Sequence, residues 1–135
     1  MARKSSGCVV YRFNEEGALE ILLVTRRNGK SWVLPKGGIE PDMSARESAA
    51  KEVYEEAGAE GIIASKLGKY KYMKDGVLQK VVMFAMRYTN DSPDWPEEHM
   101  RRRQWFPIDK AEKKVDEYLA VFIHKLRKET LSETE

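Results

Sequence analysis

Three carboxylates, Glu52, Glu55 and Glu56, stand at i, i+3 and i+4. On an α-helix those positions share one face. Like charges at this spacing repel, at a cost of roughly a few tenths of a kcal/mol per pair. A cation relieves that repulsion. Carboxylate oxygens are hard ligands that suit Mg²⁺ or Mn²⁺, and Mg²⁺ is commonly shared between a few carboxylates and the phosphates of a bound molecule. A solvated acidic face is the plain alternative, because glutamate is a common surface helix former. The three residues alone leave both readings open.

The elements around them narrow the choice. Residues 44–57 read as a helix: Ser44 and Glu47 form a capping box, and Ala49, Val53 and Ala57, with Ala50 beside them, make one apolar stripe. Gly58 sits where a helix C-terminus favours glycine. The glutamates lie on the polar side, away from that stripe. Ahead of the helix, Trp32-Val33-Leu34 is a short strand stopped by Pro35, and a glycine-bearing loop spans residues 36–43. Residues 7–13 and 19–25 read as a hairpin about Asn14-Glu15-Glu16-Gly17. Residues 62–72 and 77–88 are the next strands, split by a Lys74-Asp75-Gly76 turn; a polar loop covers 89–98, and 104–106 form a last short strand. From Ile108 onward the chain reads as one helix, with Tyr118, Leu119, Phe122, Ile123 and Leu126 as its apolar face and residues 128–135 as a polar tail that frays. This order predicts an α+β sandwich, a mixed sheet between helices.

The chain has 135 residues, enough for one domain with its own core. Its 24 basic and 22 acidic residues leave a net charge of +2, which argues against a nucleic-acid polymer as partner. The single cysteine, Cys8, lies in an apolar run and reads as a small buried hydrophobe; no internal disulfide can form. Arg3 and Lys4 lead into two serines and a short apolar stretch, unlike a secretory leader, and no run approaches the roughly 20 apolar residues that span a bilayer. A cytoplasmic protein with no membrane partner is expected.

The segment 37–59 resembles the Nudix box: a glycine, five residues, a glutamate, seven residues, then Arg-Glu-apolar-x-Glu-Glu-x-Gly-apolar. Gly37, Glu52, Val53, Glu55, Glu56, Gly58 and Ala59 fall at its fixed positions, while Met43 replaces the first glutamate and Lys51 the arginine. Lysine keeps the charge but not the planar fork. The resemblance covers residues 4–127 and extends to the diphosphoinositol polyphosphate phosphohydrolase and diadenosine polyphosphate hydrolase branch through Trp32-Val33-Leu34-Pro35-Lys36-Gly37-Gly38, Asp94-Trp95 and Arg101-Arg102-Arg103-Gln104-Trp105-Phe106. It implies an α/β/α sandwich and a Mg²⁺-dependent hydrolase, with Mn²⁺ as a substitute, that cleaves a phosphoanhydride bond in a small-molecule polyphosphate. Carried over residue by residue, Glu52 and Glu56 hold metal with the backbone carbonyl of Lys36. Glu55 is the general base, and Lys4, Arg26, Arg27 and one of Arg101 to Arg103, with Arg101 and Arg103 on a common side, grip phosphates. The departures at Met43 and Lys51 imply the alternative of a nucleotide-binding module with weak or no catalysis.

The remaining candidates carry less. Alternation in a strand allows at most two of Arg101, Arg102 and Arg103 to share one site. Trp32 and Trp105 read as core, and Trp95, in a polar loop, as a possible stacking surface for a base. Glu97 and Glu98 read as surface residues of that loop, where some members of the family place a further ligand. His99 and His124 lack metal-ligand spacing.

Overall fold

The structure, a computed structural model, describes residues 2–134, with side chains described for residues 2–131. The elements are β1 (Ala2–Phe13), β2 (Leu19–Thr25), β3 (Trp32–Val33), β4 (Lys36–Gly38), α1 (Ala45–Ala57), β5 (Ala59–Lys74), β6 (Val77–Asp91), β7 (Arg103–Pro107), α2 (Ile108–Lys114) and α3 (Glu117–Thr134). Seven strands form one mixed sheet with the order β3-β2-β1-β6-β5. β4 pairs with β1, and β7 with β2. β1 and β6 run parallel, whereas the other pairs are antiparallel.

Helices cover both faces, so the central strands are apolar on both sides. Their alternation splits them into two cores. Val9, Tyr11, Ile21, Leu23, Val81 and Met83 pack under α2 and α3 with Leu119, Phe122, Ile123 and Leu126. Cys8, Val10, Leu22, Val24, Phe84 and Met86 pack under α1 with Ala49, Val53 and Ala57. The α+β sandwich expected from the sequence is the observed architecture.

Several boundaries differ from the sequence reading. β1 begins five residues before Gly7, because residues 2–6 pair in parallel with residues 78–82 of β6, a partner the local sequence does not show. The loop after Pro35 contains a strand, β4, whose Lys36, Gly37 and Gly38 lie opposite Gly7, Ser6 and Ser5 of β1. The C-terminal helix is two helices, broken where Val115 adopts an extended conformation (φ −104°, ψ 162°). The expected frayed tail is helical through Thr134, and the buried Thr130 hydroxyl donates to the carbonyls of Leu126 and Arg127. Glu135 lies outside the described residues.

The start of α1 follows its sequence. Ser44 accepts from the Glu47 N–H at 3.1 Å, and the Ser44 N–H donates to the Glu47 carboxylate at 3.0 Å. Gly58 ends the helix in the left-handed region at φ 65°. Ser44→Ala leaves a helix N–H without its cap, so stability should fall by about 1 kcal/mol. Urea unfolding should show a lower midpoint with an unchanged slope.

Candidate active site

α1 presents its glutamates to three different surroundings. Glu52 packs on Gly37: a Cβ there would overlap the Glu52 carboxylate, so any side chain at this position would push that carboxylate aside. Burial raises the Glu52 carboxyl, and the Glu55 charge pushes the same way. Glu55 is held by Lys51 at 2.6 Å, and the same ammonium reaches Glu40 at 3.2 Å. Lys51 thus ties the loop before the helix to the carboxylate one turn ahead of it. Glu56 is only 5% exposed. Burial pushes its carboxyl up to about 8; Arg101 opposes that, the charges of Glu52 and Glu97 add to it, and the Lys36 N–H opposes it.

The far end of α1 explains why Glu56 has these neighbours. The last carbonyls of a helix need outside donors. Gly58 N–H donates to Tyr54, Glu97 N–H to Glu55, the Trp95 indole to Glu56, an Arg103 guanidinium N–H to Ala57 and Ser92 N–H to Gly58, at 2.8–3.1 Å. The segment 92–103 is therefore stitched to the helix end. It carries Glu97 and Arg101 with it. The Arg101 Nε donates to Glu97 at 2.8 Å, one of its terminal nitrogens lies 3.7 Å from Glu56, and the other donates to the Thr25 carbonyl at 3.0 Å.

A cavity of about 370 Å³ opens beside Glu56, lined by Arg26, Arg27, Lys36, Lys74 and Arg101, with Leu34, Tyr118 and Leu119 among the apolar walls. Arg26, Arg27 and Arg101, three of the residues expected to grip phosphates, thus line one cavity. Arg101 is also the counter-ion of Glu56 and Glu97, a role that reading did not assign.

Other expected residues lie elsewhere. Arg103 is committed to the Ala57 and Ser92 carbonyls and to Asp91, 3.3 Å away. Trp95 is not a free stacking surface, because its indole caps α1 and the Arg103 guanidinium covers its ring at 3.9 Å. Lys4 lines a different cavity. Glu97 is buried against Arg101, contrary to the surface reading. Lys74 and the Lys36 side chain were missed. Lys74 sits at a hairpin turn and gave no local signal, and the Lys36 ammonium is positioned by Tyr72, whose hydroxyl is 3.3 Å away.

The donor set fits a hard divalent ion. Among the described residues no three His, Cys, Asp or Glu side chains form a closed metal cage. Two carboxylates one helical turn apart, both raised by burial, instead suit a cation whose shell substrate phosphates and water complete.

The raised Glu56 carboxyl has a stability consequence. Its folded value lies above its unfolded one, so folding binds a proton. The burden is absent at low pH and grows as pH rises from the ordinary carboxyl range to about 8. Without divalent ions, the wild type should lose stability relative to Glu56→Gln over that window. Thermal melts at acidic pH should nearly coincide and then separate as pH rises. A constant separation would mean that Glu56 titrates as an ordinary carboxylate.

Residues 1–126 match the family model described as NUDIX domain. Nudix hydrolase 4 of Arabidopsis thaliana is 37% identical over 118 residues, covering 81% of this chain and 57% of that protein. Diphosphoinositol polyphosphate phosphohydrolase 3-alpha of Mus musculus is 33% identical, covering 81% of this chain and 66% of that protein. The chain thus spans about three fifths of the length of these curated relatives. A C. elegans Ap4A hydrolase, solved as a binary complex, superposes with a TM-score of 0.80 at 22% identity, covering 97% of this chain and 99% of that one, a likeness of fold. With a family model spanning nearly its whole length, the chain belongs to the Nudix family.

Proposed function

We propose that this chain is a Mg²⁺-dependent hydrolase that cleaves a phosphoanhydride bond in a nucleoside polyphosphate, dinucleoside polyphosphate or diphosphoinositol polyphosphate. One observation carries the reading: a single cavity sets the buried Glu56 among Arg26, Arg27, Lys36, Lys74 and Arg101. Such a cavity attracts a polyanion and has the Glu56 carboxylate at one wall, one helical turn from Glu52, to hold a cation. The names of the mouse and worm relatives point to the same classes of substrate.

Glu52 and Glu56, with the Lys36 carbonyl, would hold the ion. A bound divalent cation supplies charge neutralisation on the transferring phosphoryl group and lowers the pKa of a bound water. Arg26, Arg27, Lys36 and Lys74 hold the phosphate chain in line. Glu55 takes the proton from the attacking water. That water's oxygen forms the new P–O bond while the bridging P–O bond breaks, and the leaving phosphate departs with the electron pair. Lys51 keeps Glu55 oriented, so the lysine that replaces the box arginine still reaches the carboxylate it would serve. A cytoplasmic setting is part of this reading, in keeping with the lone, buried Cys8, whose thiol burial pushes up to about 12.

A panel of diadenosine polyphosphates, nucleoside triphosphates and diphosphoinositol phosphates, with Mg²⁺ or Mn²⁺, tests the proposal by phosphate release. No turnover on any of them overturns it. Met43, in place of the box's first glutamate, motivates the rival reading of a nucleotide-binding module. That reading predicts tight binding without turnover and a large gain from Met43→Glu with Lys51→Arg.

Glu52→Gln and Glu56→Gln should abolish most turnover and reduce the stabilisation conferred by Mg²⁺, read as the rise in melting temperature. Glu55→Gln should preserve much of that rise yet slow the reaction by about 10²–10⁴-fold. Arg26→Ala and Arg27→Ala should raise KM more for longer phosphate chains, by about 1.5–3 kcal/mol per lost charged contact. If KM holds while stability drops, the two arginines are structural.

A further inference from the structure

The sheet carries a second cavity, of about 440 Å³, near the N-terminus of α1. Lys4, Lys66, Lys69, Lys71 and Lys80 line it, with no carboxylate among the lining residues. It shares no lining residue with the cavity beside Glu56. Among the described residues, no ion pair or side-chain hydrogen bond engages any of these five ammonium groups.

The registers show how the lysines converge. Lys4 lies opposite Lys80 across β1 and β6, and Lys80 lies opposite Lys71 across β6 and β5. Three lysines thus form one row across three adjacent strands, spaced at about 4.8 Å per strand. Like charges directly opposite one another destabilise a sheet. Lys69 lies opposite Val82 and Lys66 opposite Phe84. Lys80, Val82 and Phe84 alternate onto one face of β6, so Lys66, Lys69 and Lys71 of β5 share that face. In a regular strand, Lys66 and Lys69 would point to opposite faces. A register shift between Lys66 and Gly68 inserts a residue and brings them together. Arg46, which follows the lining residue Ala45, places its guanidinium 5.2 Å from the ring of Phe84, another lining residue.

Protection of a sheet edge accounts for only part of this. β5 is an edge strand, and lysines there discourage pairing with another chain. Lys4 and Lys80 lie on the interior strands β1 and β6. Solubility is served by interspersed charges of both signs, whereas this face concentrates one sign in a chain whose net charge is only +2.

We propose that this groove is a second anion site, separate from the Glu56 cavity, that takes a compact polyanion carrying several phosphates. Ammonium groups on flexible stems bind phosphate oxygens as point charges. The groove's concave form and volume suit a small ligand. A single-stranded nucleic acid fits less well, since such strands are usually held on exposed aromatic faces. Of the aromatic residues lining the groove, Phe84 is 4% exposed, and Tyr70 packs against Tyr72, Tyr118 and Phe122.

The test is a titration of ¹⁵N-labelled protein with inorganic tripolyphosphate, free of divalent ions, followed by amide chemical shifts. The amides of Lys4, Lys69, Lys71 and Lys80 should shift and saturate, with affinity that weakens on adding salt. Lys71→Gln with Lys80→Gln should lower affinity at this groove by at least about tenfold and leave the shifts around Arg26 and Arg101 in place. Because the double variant removes like-charge repulsion, it should fold, as its dispersed amide spectrum would show. Shifts confined to the surroundings of Arg26, Arg101 and Glu56 would overturn the proposal, as would unchanged affinity in the folded double variant. Tighter groove binding by a single-stranded oligonucleotide of equal charge would overturn the assignment to a compact ligand. The titration reads no turnover, so its outcome is independent of whether the Glu56 cavity hydrolyses anything.

Discussion

The carbonyls at the end of α1 must find donors, and the way they do so shapes the site. The segment 92–103 supplies Ser92 N–H, the Trp95 indole, Glu97 N–H and an Arg103 guanidinium N–H to successive carbonyls of the last turn. A segment fixed by four such bonds cannot choose where its other side chains go. Glu97 and Arg101 are therefore delivered to the flank of Glu56, where Arg101 reaches both carboxylates and the Thr25 carbonyl. Capping and electrostatics are one arrangement here. Loss of the cap would release the arginine that makes a buried carboxylate tolerable.

The charge balance at the site turns on burial. Burial raises the cost of ionising Glu52 and Glu56, the charge of Glu97 adds to it at both, and Arg101 is the counter-charge that opposes it at Glu56. Arg101 is shared between Glu56 and Glu97, and Arg27 lies 3.8 Å from Glu97. A divalent ion at Glu56 would take the place of the proton that burial holds there. Arg26, Arg27, Lys36 and Lys74 line the rest of the same cavity. Gly37 matters to the same balance, since any side chain there would displace the Glu52 carboxylate.

Local features were legible in the sequence, and tertiary ones were not. The α1 boundaries, its capping box and the Gly58 terminus rest on interactions within a few residues, and they appear as read. β4 has no period to read; Lys-Gly-Gly becomes a strand only because β1 lies beside it. The alternation of Arg101, Arg102 and Arg103 was readable. Arg102 turns toward Trp32, at 5.3 Å, and away from its two neighbours. What alternation could not say is that Arg103 would meet a helix end and Arg101 a buried glutamate. Trp95 and Glu97 misled for the same reason: a polar loop sequence looks solvent-facing until the helix it caps is in place. The break between α2 and α3 was also hidden, because the apolar spacing of residues 118–126 belongs to α3 alone.

One sheet thus serves two cationic cavities with different neighbours. β5 contributes Lys74 to the cavity beside Glu56, and Lys66, Lys69 and Lys71 to the groove near the N-terminus of α1. The distribution depends on the bulges of β5, which reset which side chains share a face. A period-two reading of β5 would scatter these lysines over both faces and see only a charged edge. With the shifts included, the same residues separate into one cation beside carboxylates and three in a groove without any. The first can be balanced by the protein's own charges. The second has no ion-pair or side-chain hydrogen-bond partner among the described residues, which leaves its ammonium groups open to an added anion.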